Sequence, residues 1–216
     1  SWNILSEEDS IENQLKSISR ENLFIIDPID GTSSFIKGSK EFTINLSRIE
    51  KNKLIFSAIY IPMEDIIYFA DSSNVYTAEN LRCLNDRNNI KKIDKIKFSR
   101  RNIINVITTK RKSEKNDIIN FLKKSKKEFN FNSMASAKKF CSLASGLNDI
   151  YIRKARIKIW DVIAGFHILH NAGYLIEDLD GNNLYKIISN REYLETISSK
   201  SFKICEFIVK PIGLEI

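Results

Sequence analysis

The run LFIIDPIDGT at residues 23–32 decides how this chain folds and indicates its chemistry. The apolar residues before Asp27 predict a short buried strand, and Pro28 biases Asp27 toward an extended conformation, so the strand should end there. Asp27 and Asp30 then flank a turn as two carboxylate ligands, with the backbone carbonyl of Ile29 between them. Carboxylates and carbonyls are ligands that Mg²⁺ prefers.

Gly31 and Thr32 follow directly and offer a backbone N–H and a hydroxyl to a phosphate. A helix that begins near Gly31 would turn its N–H groups toward such an anion. The same residues also suit a plain turn, because Pro pre-sets turns and Asp-Gly is common in them. Residues elsewhere in the chain decide between the two interpretations.

Length and composition indicate a globular protein. The chain has 216 residues, 43% of them hydrophobic and 28% charged, which is typical of soluble proteins with a substantial core. We expect one domain over residues 1–216, built from two packed halves of about 1–100 and 101–216. The sequence shows no apolar stretch long enough to cross a bilayer, and its start lacks a secretory signal.

The three cysteines, Cys83, Cys141 and Cys205, are widely spaced and odd in number. They form no zinc-like pair and no disulfide framework, which favours a reducing cytoplasm. A catalytic Cys needs a partner base, and the chain has two histidines, His167 and His170. These share a helix face without a third ligand nearby in sequence, so a zinc site is disfavoured.

The net charge of +7 indicates anionic partners. The densest basic stretches, at 91–97, 100–101 and 123–127, lack the aromatic interleaving of a single-strand-binding platform. A basic RNA-associated protein therefore remains the weakest alternative, and we expect no nucleic acid polymer as partner. We favour a basic pocket entrance that attracts a small polyanion. The alternative is that the lysines are ordinary solvated surface residues.

Periodicity predicts a strand meander followed by alternating helices and strands. Strands are predicted at 23–27, 42–46, 54–61, 66–70, 103–108, 149–153 and 202–209. Helices are predicted at 118–129, 137–147 and 163–171. A loop is predicted at 80–89 and a turn at 177–182. This alternation predicts a layered α/β fold with mixed sheets.

Three separated stretches occur in the order seen in the inositol monophosphatase superfamily. They are LSEE at 5–8, IIDPIDGT at 25–32 and IWDVIAG at 159–165. The chain resembles that superfamily over nearly its whole length, to at least Gly181. The resemblance favours the metal and phosphate interpretation over the plain turn.

The closer likeness is to the CysQ-type 3'(2'),5'-bisphosphate nucleotidases of that superfamily. It rests on DGTSSFIK (30–37), EFTIN (41–45), AIYIP (58–62) and SAKKFC (136–141). It implies a layered α-β-α-β sandwich with mixed, largely antiparallel sheets. Family members usually begin with two helices and a Thr-x-Ala-Asp segment, whereas this chain starts just before Glu7. We therefore expect an N-terminally truncated domain without the N-terminal helical layer.

The resemblance implies a metal site of two or more Mg²⁺ ions, inhibited by Li⁺. Glu7, Asp27 and the Ile29 carbonyl resemble the ligands of the first ion. Asp27, Asp30 and Asp161 resemble those of the second. Such ions polarise a phosphate and generate hydroxide from water.

Substrate and catalytic positions follow from the same resemblance. Gly31 and Thr32 match the positions that hold the phosphate, with Ser33 adjacent, and Thr32 would also help to position the attacking water. Lys139 would reach a substrate phosphate or nucleobase, or else is a surface lysine on a helix. The expected catalytic residues are Thr32, Asp30 and Glu7. The residues expected to contact the substrate are Glu7, Ile29, Asp30, Gly31, Thr32, Ser33, Lys139 and Asp161.

Four basic residues precede Asp161 and allow two interpretations. Arg153, Lys154, Arg156 and Lys158 either line the mouth of the pocket or form a solvated strand. The adjacent Trp160 is expected to be a core aromatic that fixes Asp161.

The implied activity is that of a metal-dependent phosphomonoesterase. The first choice of substrate is 3'-phosphoadenosine 5'-phosphate, cleaved to AMP and phosphate, a reaction of sulfur metabolism. The alternatives are an inositol-phosphate or fructose-bisphosphate phosphatase, or a member that binds a phosphorylated ligand without turnover. We expect a cytoplasmic monomer or homodimer, with peripheral association with the inner membrane left open.

Overall fold

The computed structural model of the protein describes residues 3–18, 22–81, 89–95, 103–189 and 191–216. Most of the predicted loop at 80–89, including Cys83, lies outside these residues, as does the basic pair at 100–101. Within the described ranges, no helix combines the length and the apolar character needed to cross a membrane.

A seven-stranded sheet forms the first layer, and its strands lie side by side in chain order. They are β1 (Asn3–Ser6), β2 (Asn22–Asp30), β3 (Thr43–Glu50), β4 (Lys53–Ile61), β5 (Ile66–Ala70), β6 (Val75–Glu79) and β7 (Ile90–Ile93). β1 runs parallel to β2, and every later neighbour is antiparallel. The predicted meander is confirmed. β2 does not end at Asp27 as predicted, because its pairing with β3 shifts there and resumes at Asp30.

The second sheet has five strands in the order β12-β14-β10-β8-β9. They are β8 (Ile103–Thr108), β9 (Glu128–Ser133), β10 (Ile150–Arg153), β12 (Tyr174–Asp178) and β14 (Phe207–Pro211). A separate ribbon pairs β11 (Ile157–Lys158) with β13 (Lys203–Ile204). β8 is parallel to both β9 and β10, whereas β14 is antiparallel to β10 and β12. The sheet therefore has mixed orientation.

Seven helices pack around the sheets in the described ranges. They are α1 (Ile11–Ile18), α2 (Thr32–Ile36), α3 (Lys112–Leu122), α4 (Lys138–Ala144), α5 (Ile163–Asn171), α6 (Leu184–Ile188) and α7 (Arg191–Ser198). α4 and α5 lie between the sheets, where Phe140 and Phe166 share an apolar cluster with Ile59 and Tyr151. On its other face, the second sheet packs against Ile118 of α3. The predicted layered α/β sandwich with mixed, largely antiparallel sheets is confirmed.

Two predicted elements are wrong at their boundaries. The helix predicted at 118–129 is α3, which begins earlier, at Lys112, and ends at Leu122. Its first turn buries Glu114, a charged residue where apolar periodicity expects a hydrophobic one, and the segment after the helix alternates aromatic and Asn residues as a strand does. The strand predicted at 202–209 splits into β13 and β14.

β3 buries the face that its sequence makes polar. Thr43, Asn45 and Ser47 are almost fully buried, although apolar alternation predicts that the opposite face points inward. The Ser47 hydroxyl meets the Ser57 hydroxyl at 2.9 Å, and that hydroxyl lies 3.0 Å from Nδ1 of His167. Burial lowers the pKa of His167 to about 4, so this histidine is a neutral core residue.

The contact between α4 and α5 requires a glycine. A methyl group at Gly165 would overlap the ring of Phe140, so we expect Gly165→Ala to destabilise the protein by about 1–3 kcal/mol through overpacking. Urea unfolding of the single variants Gly165→Ala and Phe140→Leu and of their double mutant would measure this. The double mutant should lose less than the sum of the single losses. A wild-type urea midpoint for Gly165→Ala would contradict this packing.

Candidate active site

Three carboxylates converge at one edge of the first sheet. The parallel register of β1 and β2 pairs Ser6 with Ile26, so Glu7, just after β1, lies beside Asp27 of β2. Asp161 ends the short 3₁₀ helix that precedes α5. One carboxylate oxygen of each of the three acidic residues lies within 4.8 Å of the other two. The structure thus brings together three of the predicted metal ligands, and we call them the acidic cluster.

The acidic cluster has the properties of a cation site. Asp27 Oδ1 accepts a hydrogen bond from Ile29 N at 3.0 Å, but Oδ2 is buried and has no hydrogen-bond partner among the described residues. Burial, and then the charges of Asp30 and Glu7, raise the pKa of Asp27 to about 8. The same causes raise the pKa of Asp161 to about 7. Hard carboxylate oxygens with uncompensated charge fit Mg²⁺.

Asp30 is held beside the acidic cluster by hydrogen bonds. Its Oδ2 accepts from Ala137 N at 2.5 Å and from Asn45 Nδ2 at 3.2 Å. Burial raises the pKa of Asp30, and the charge of Lys139 opposes that rise. Asp30 is not one of the three carboxylates that meet within 4.8 Å. Asp30, also a predicted metal ligand, therefore lies next to the acidic cluster in a fixed orientation.

The turn after Asp30 has a defined backbone geometry. Gly31 has φ 88°, and a Cβ there would lie 3.0 Å from the Glu41 carbonyl oxygen, so only glycine fits without strain. The predicted helix near Gly31 is confirmed as α2. The Thr32 hydroxyl donates a hydrogen bond to the Ile29 carbonyl at 3.0 Å. A predicted catalytic side chain thus contacts a predicted metal ligand. Ser33 lines the adjacent cavity.

A cavity of about 540 Å³ adjoins the acidic cluster. Asp30 and Asp161 lie at its acidic end, and basic side chains line its walls. The basic lining residues are Lys37, Lys110, Arg111, Lys139 and Arg153. Of these, Lys139 and Arg153 are only 6% and 9% exposed. The volume falls within the range usual for small-molecule sites.

Lys139 is a buried lysine, so the alternative of a surface lysine is wrong. Its Nζ donates to the Ser136 carbonyl at 2.5 Å and lies 5.5 Å from the ring centroid of Tyr151. Burial lowers the pKa of Lys139 to about 8, and the charge of Asp30 opposes that change. A buried cation that lines a cavity is suited to an anionic ligand.

The basic residues before Asp161 differ in their placement. Arg153 lines the cavity, whereas Lys154 lies over the Phe121 ring at 5.2 Å and Lys158 over the Trp160 ring at 5.0 Å. Trp160 is 2% exposed, so its prediction as a core aromatic is confirmed.

Sequence reasoning missed two polar residues that shape the site. Asn45 holds Asp30 from the buried face of β3, and Glu114 of α3 forms an ion pair with Arg153. Both occupy inward positions of their elements. A polar residue at such a position is the signal that would have found them.

Comparison with known proteins identifies the family. The model of the inositol monophosphatase family matches residues 1–203. The 3'(2'),5'-bisphosphate nucleotidase CysQ of Buchnera aphidicola is 31% identical over 195 residues, which cover 87% of this chain and 66% of that protein. The chain belongs to the inositol monophosphatase family, and the predicted likeness to its CysQ-type branch is confirmed. It spans about two thirds of the length of such curated relatives.

Solved structures share the fold. The crystal structure of CysQ from Bacteroides thetaiotaomicron matches with a TM-score of 0.73 at 24% identity, covering 97% of this chain and 77% of that one. The 2'AMP-bound structure of SaIMPase-II matches with a TM-score of 0.72 at 19% identity, covering 99% of this chain and 72% of that one.

Proposed function

We propose that this chain hydrolyses a phosphate monoester that carries a second phosphate. The preferred substrate is 3'-phosphoadenosine 5'-phosphate, and the products are AMP and inorganic phosphate. One observation carries the proposal: a single cavity is lined by Asp161 of the acidic cluster, by the adjacent Asp30 and by two buried cations, Lys139 and Arg153. The named activity of the CysQ relatives and the 2'AMP bound by SaIMPase-II support a nucleotide substrate.

The acidic cluster is the proposed metal site. Glu7, Asp27 and Asp161 would hold Mg²⁺, with the Ile29 carbonyl and Asp30 as further ligands. The bound metal supplies Lewis-acid stabilisation of the phosphate and lowers the pKa of a coordinated water. Li⁺ would inhibit by competing for these oxygens.

The turn beside the metal site would hold the reacting phosphate. The backbone N–H groups of Gly31 and Thr32 and the hydroxyl of Ser33 are donors suited to phosphate oxygens. Thr32 is fixed by its hydrogen bond to the Ile29 carbonyl, and Asp30 by the Ala137 N–H. Positioning by such fixed groups lowers the entropic part of the barrier.

The two buried cations account for the choice of a bisphosphate. Lys139 and Arg153 face a cavity with room for more than one phosphate group. A substrate with a second phosphate would give these two cations an anionic partner inside the cavity, and guanidinium and ammonium groups both bind phosphate. Inositol 1-phosphate carries one phosphate, which the acidic end would take, and offers no second phosphate to Lys139 and Arg153.

Both halves of the chain contribute to this cavity, which supports a single catalytic unit. The half at about 1–100 supplies Asp30 and Ser33, and the half at 101–216 supplies Lys139 and Asp161. We therefore propose that residues 1–216 act as one domain.

Phosphate release by the purified protein tests the proposal. With Mg²⁺, we expect lithium-sensitive release from 3'-phosphoadenosine 5'-phosphate and little from inositol 1-phosphate or fructose 1,6-bisphosphate. Preferential release from either sugar phosphate would keep the site and change the substrate. No release from any of the three, by protein with a cooperative melting curve, would contradict hydrolysis and favour a binding protein.

A further inference from the structure

Glu114 is a buried carboxylate with three partners near the cavity. It is 5% exposed in the first turn of α3. Its Oε1 accepts a hydrogen bond from Lys154 N at 3.1 Å and lies 3.4 Å from Nε of Arg153. Its Oε2 accepts from the Thr109 hydroxyl at 3.2 Å. Glu114 thus joins two segments that are distant in sequence.

Both segments reach the cavity wall. Thr109 and Arg153 line the cavity, and so does Arg111, whose N–H donates to the Thr109 hydroxyl at 3.0 Å. The N–H of Arg153 Nε donates to the Ala155 carbonyl at 3.3 Å, so the contact of Nε with Glu114 is an ion pair. Glu114 therefore lies behind two parts of one basic wall and contacts both.

The ion pair between Glu114 and Arg153 is buried, which makes the loss of either partner costly. The side chains of Arg153 and Glu114 are 11% and 6% exposed. An exposed pair of this kind contributes little, whereas removal of one partner of a buried pair leaves the other charge uncompensated. The other buried residues of α3, Ile118 and Leu122, are apolar. A buried carboxylate at Glu114 therefore contributes less to folding stability than an apolar side chain would.

We propose that Glu114 is a positioning residue for the second, non-reacting phosphate of the substrate. It fixes the guanidinium of Arg153 against the cavity wall through Nε, and it anchors the Thr109 segment beside it. Guanidinium groups bind phosphate in a defined geometry, so their orientation determines affinity. This inference rests on the proposed function, since it assigns the group that Arg153 would bind.

Steady-state kinetics of Glu114→Gln test the inference. Adenosine 3'-phosphate has the same reacting phosphate as 3'-phosphoadenosine 5'-phosphate but lacks the second one. We expect the KM for the bisphosphate to rise about tenfold, because the amide keeps the shape of Glu114 but removes the negative charge that pairs with Arg153. Its kcat and the KM for adenosine 3'-phosphate should stay within about twofold. The matched control Glu128→Gln, at an exposed position of β9, should behave as wild type.

Binding of AMP in EDTA gives a readout that is independent of turnover. AMP carries only the second phosphate, so titration calorimetry should find it bound about tenfold more weakly by Glu114→Gln, whereas adenosine binding should not change. Arg153→Lys keeps both Glu114 and the charge but loses the Nε contact, so it should weaken AMP binding similarly. The double variant should be no worse than either single one, because the two residues act as a unit.

The outcomes separate this inference from the proposed function. Equal losses on both adenosine phosphates, or unchanged AMP binding in Glu114→Gln and Arg153→Lys, would overturn the positioning role. If the wild type hydrolyses neither substrate, the proposed function fails, and AMP binding still decides the role of Glu114. If Glu114→Gln lacks a cooperative melting curve, Arg153→Lys decides it.

Discussion

The Asp27→Asn variant is expected to lose turnover about a thousandfold, because each 1.36 kcal/mol of lost Lewis-acid stabilisation is a factor of ten. The same variant should melt at a higher temperature than the wild type in EDTA at about pH 8. Asp27 Oδ2 has no hydrogen-bond partner among the described residues, and Glu7 and Asp161 lie against it. An amide removes that repulsion, while its oxygen can still accept the Ile29 N–H.

Phosphate release and thermal melting of one preparation measure both effects. Asp180→Asn is the matched control, because Asp180 is exposed and does not line the cavity. It should change neither the turnover nor the melting temperature. An Asp27→Asn protein that retains wild-type turnover with Mg²⁺ would exclude Asp27 as a ligand. Lower stability in EDTA would instead indicate that its carboxylate has a structural role.

Part of the metal end was predictable because one local run determines it: residues 23–32 carry Asp27, the Ile29 carbonyl and Asp30. Glu7 was assigned through the family resemblance, since no strand was predicted at 3–6 and the register that places Glu7 beside Asp27 is seen only in the structure. Asp161 was likewise found through the family resemblance, since nothing in its local sequence shows that its 3₁₀ helix reaches β2.

The basic wall was less predictable because it depends on contacts between distant residues. The hydrogen bond from Ala137 N to Asp30 and the ion pair between Glu114 and Arg153 join segments far apart in the chain. Periodicity assigns charged residues to the surface, so it left a surface position open for Lys139 and began α3 too late.

The pH dependence of the metal-free protein follows from the same burial. The raised pKa of Asp27, from 3.8 to about 8, means that the folded state keeps a proton that the unfolded state has released. This contribution to stability is complete below pH 3.8 and is lost as the pH rises through about 8. His167 acts in the opposite direction, because its pKa is lowered from 6.5 to about 4. Its contribution is complete above pH 6.5, so above that pH the carboxylates dominate.

Lys139 sets the upper end of the pH range in which the unfolding free energy falls. Its pKa is lowered from 10.5 to about 8, so above about pH 8 the folded state is relieved of a buried charge and stability rises again. Between about pH 6.5 and 8 the unfolding free energy in EDTA should fall by about 1–2 kcal/mol, which lowers Tm by about 2–8 °C.

Magnesium should reverse this loss, because a metal displaces the protons of its ligands and binds more tightly as they ionise. Scanning calorimetry in EDTA and in excess Mg²⁺ should therefore find a larger rise in Tm at pH 8 than at pH 6.5. Asp27→Asn should show a shallower decline of Tm in EDTA and a smaller response to Mg²⁺. If the wild type and Asp27→Asn decline equally with pH, the acidic cluster does not carry the uncompensated charge described above. If Mg²⁺ raises the two Tm values equally, Asp27 does not bind the ion.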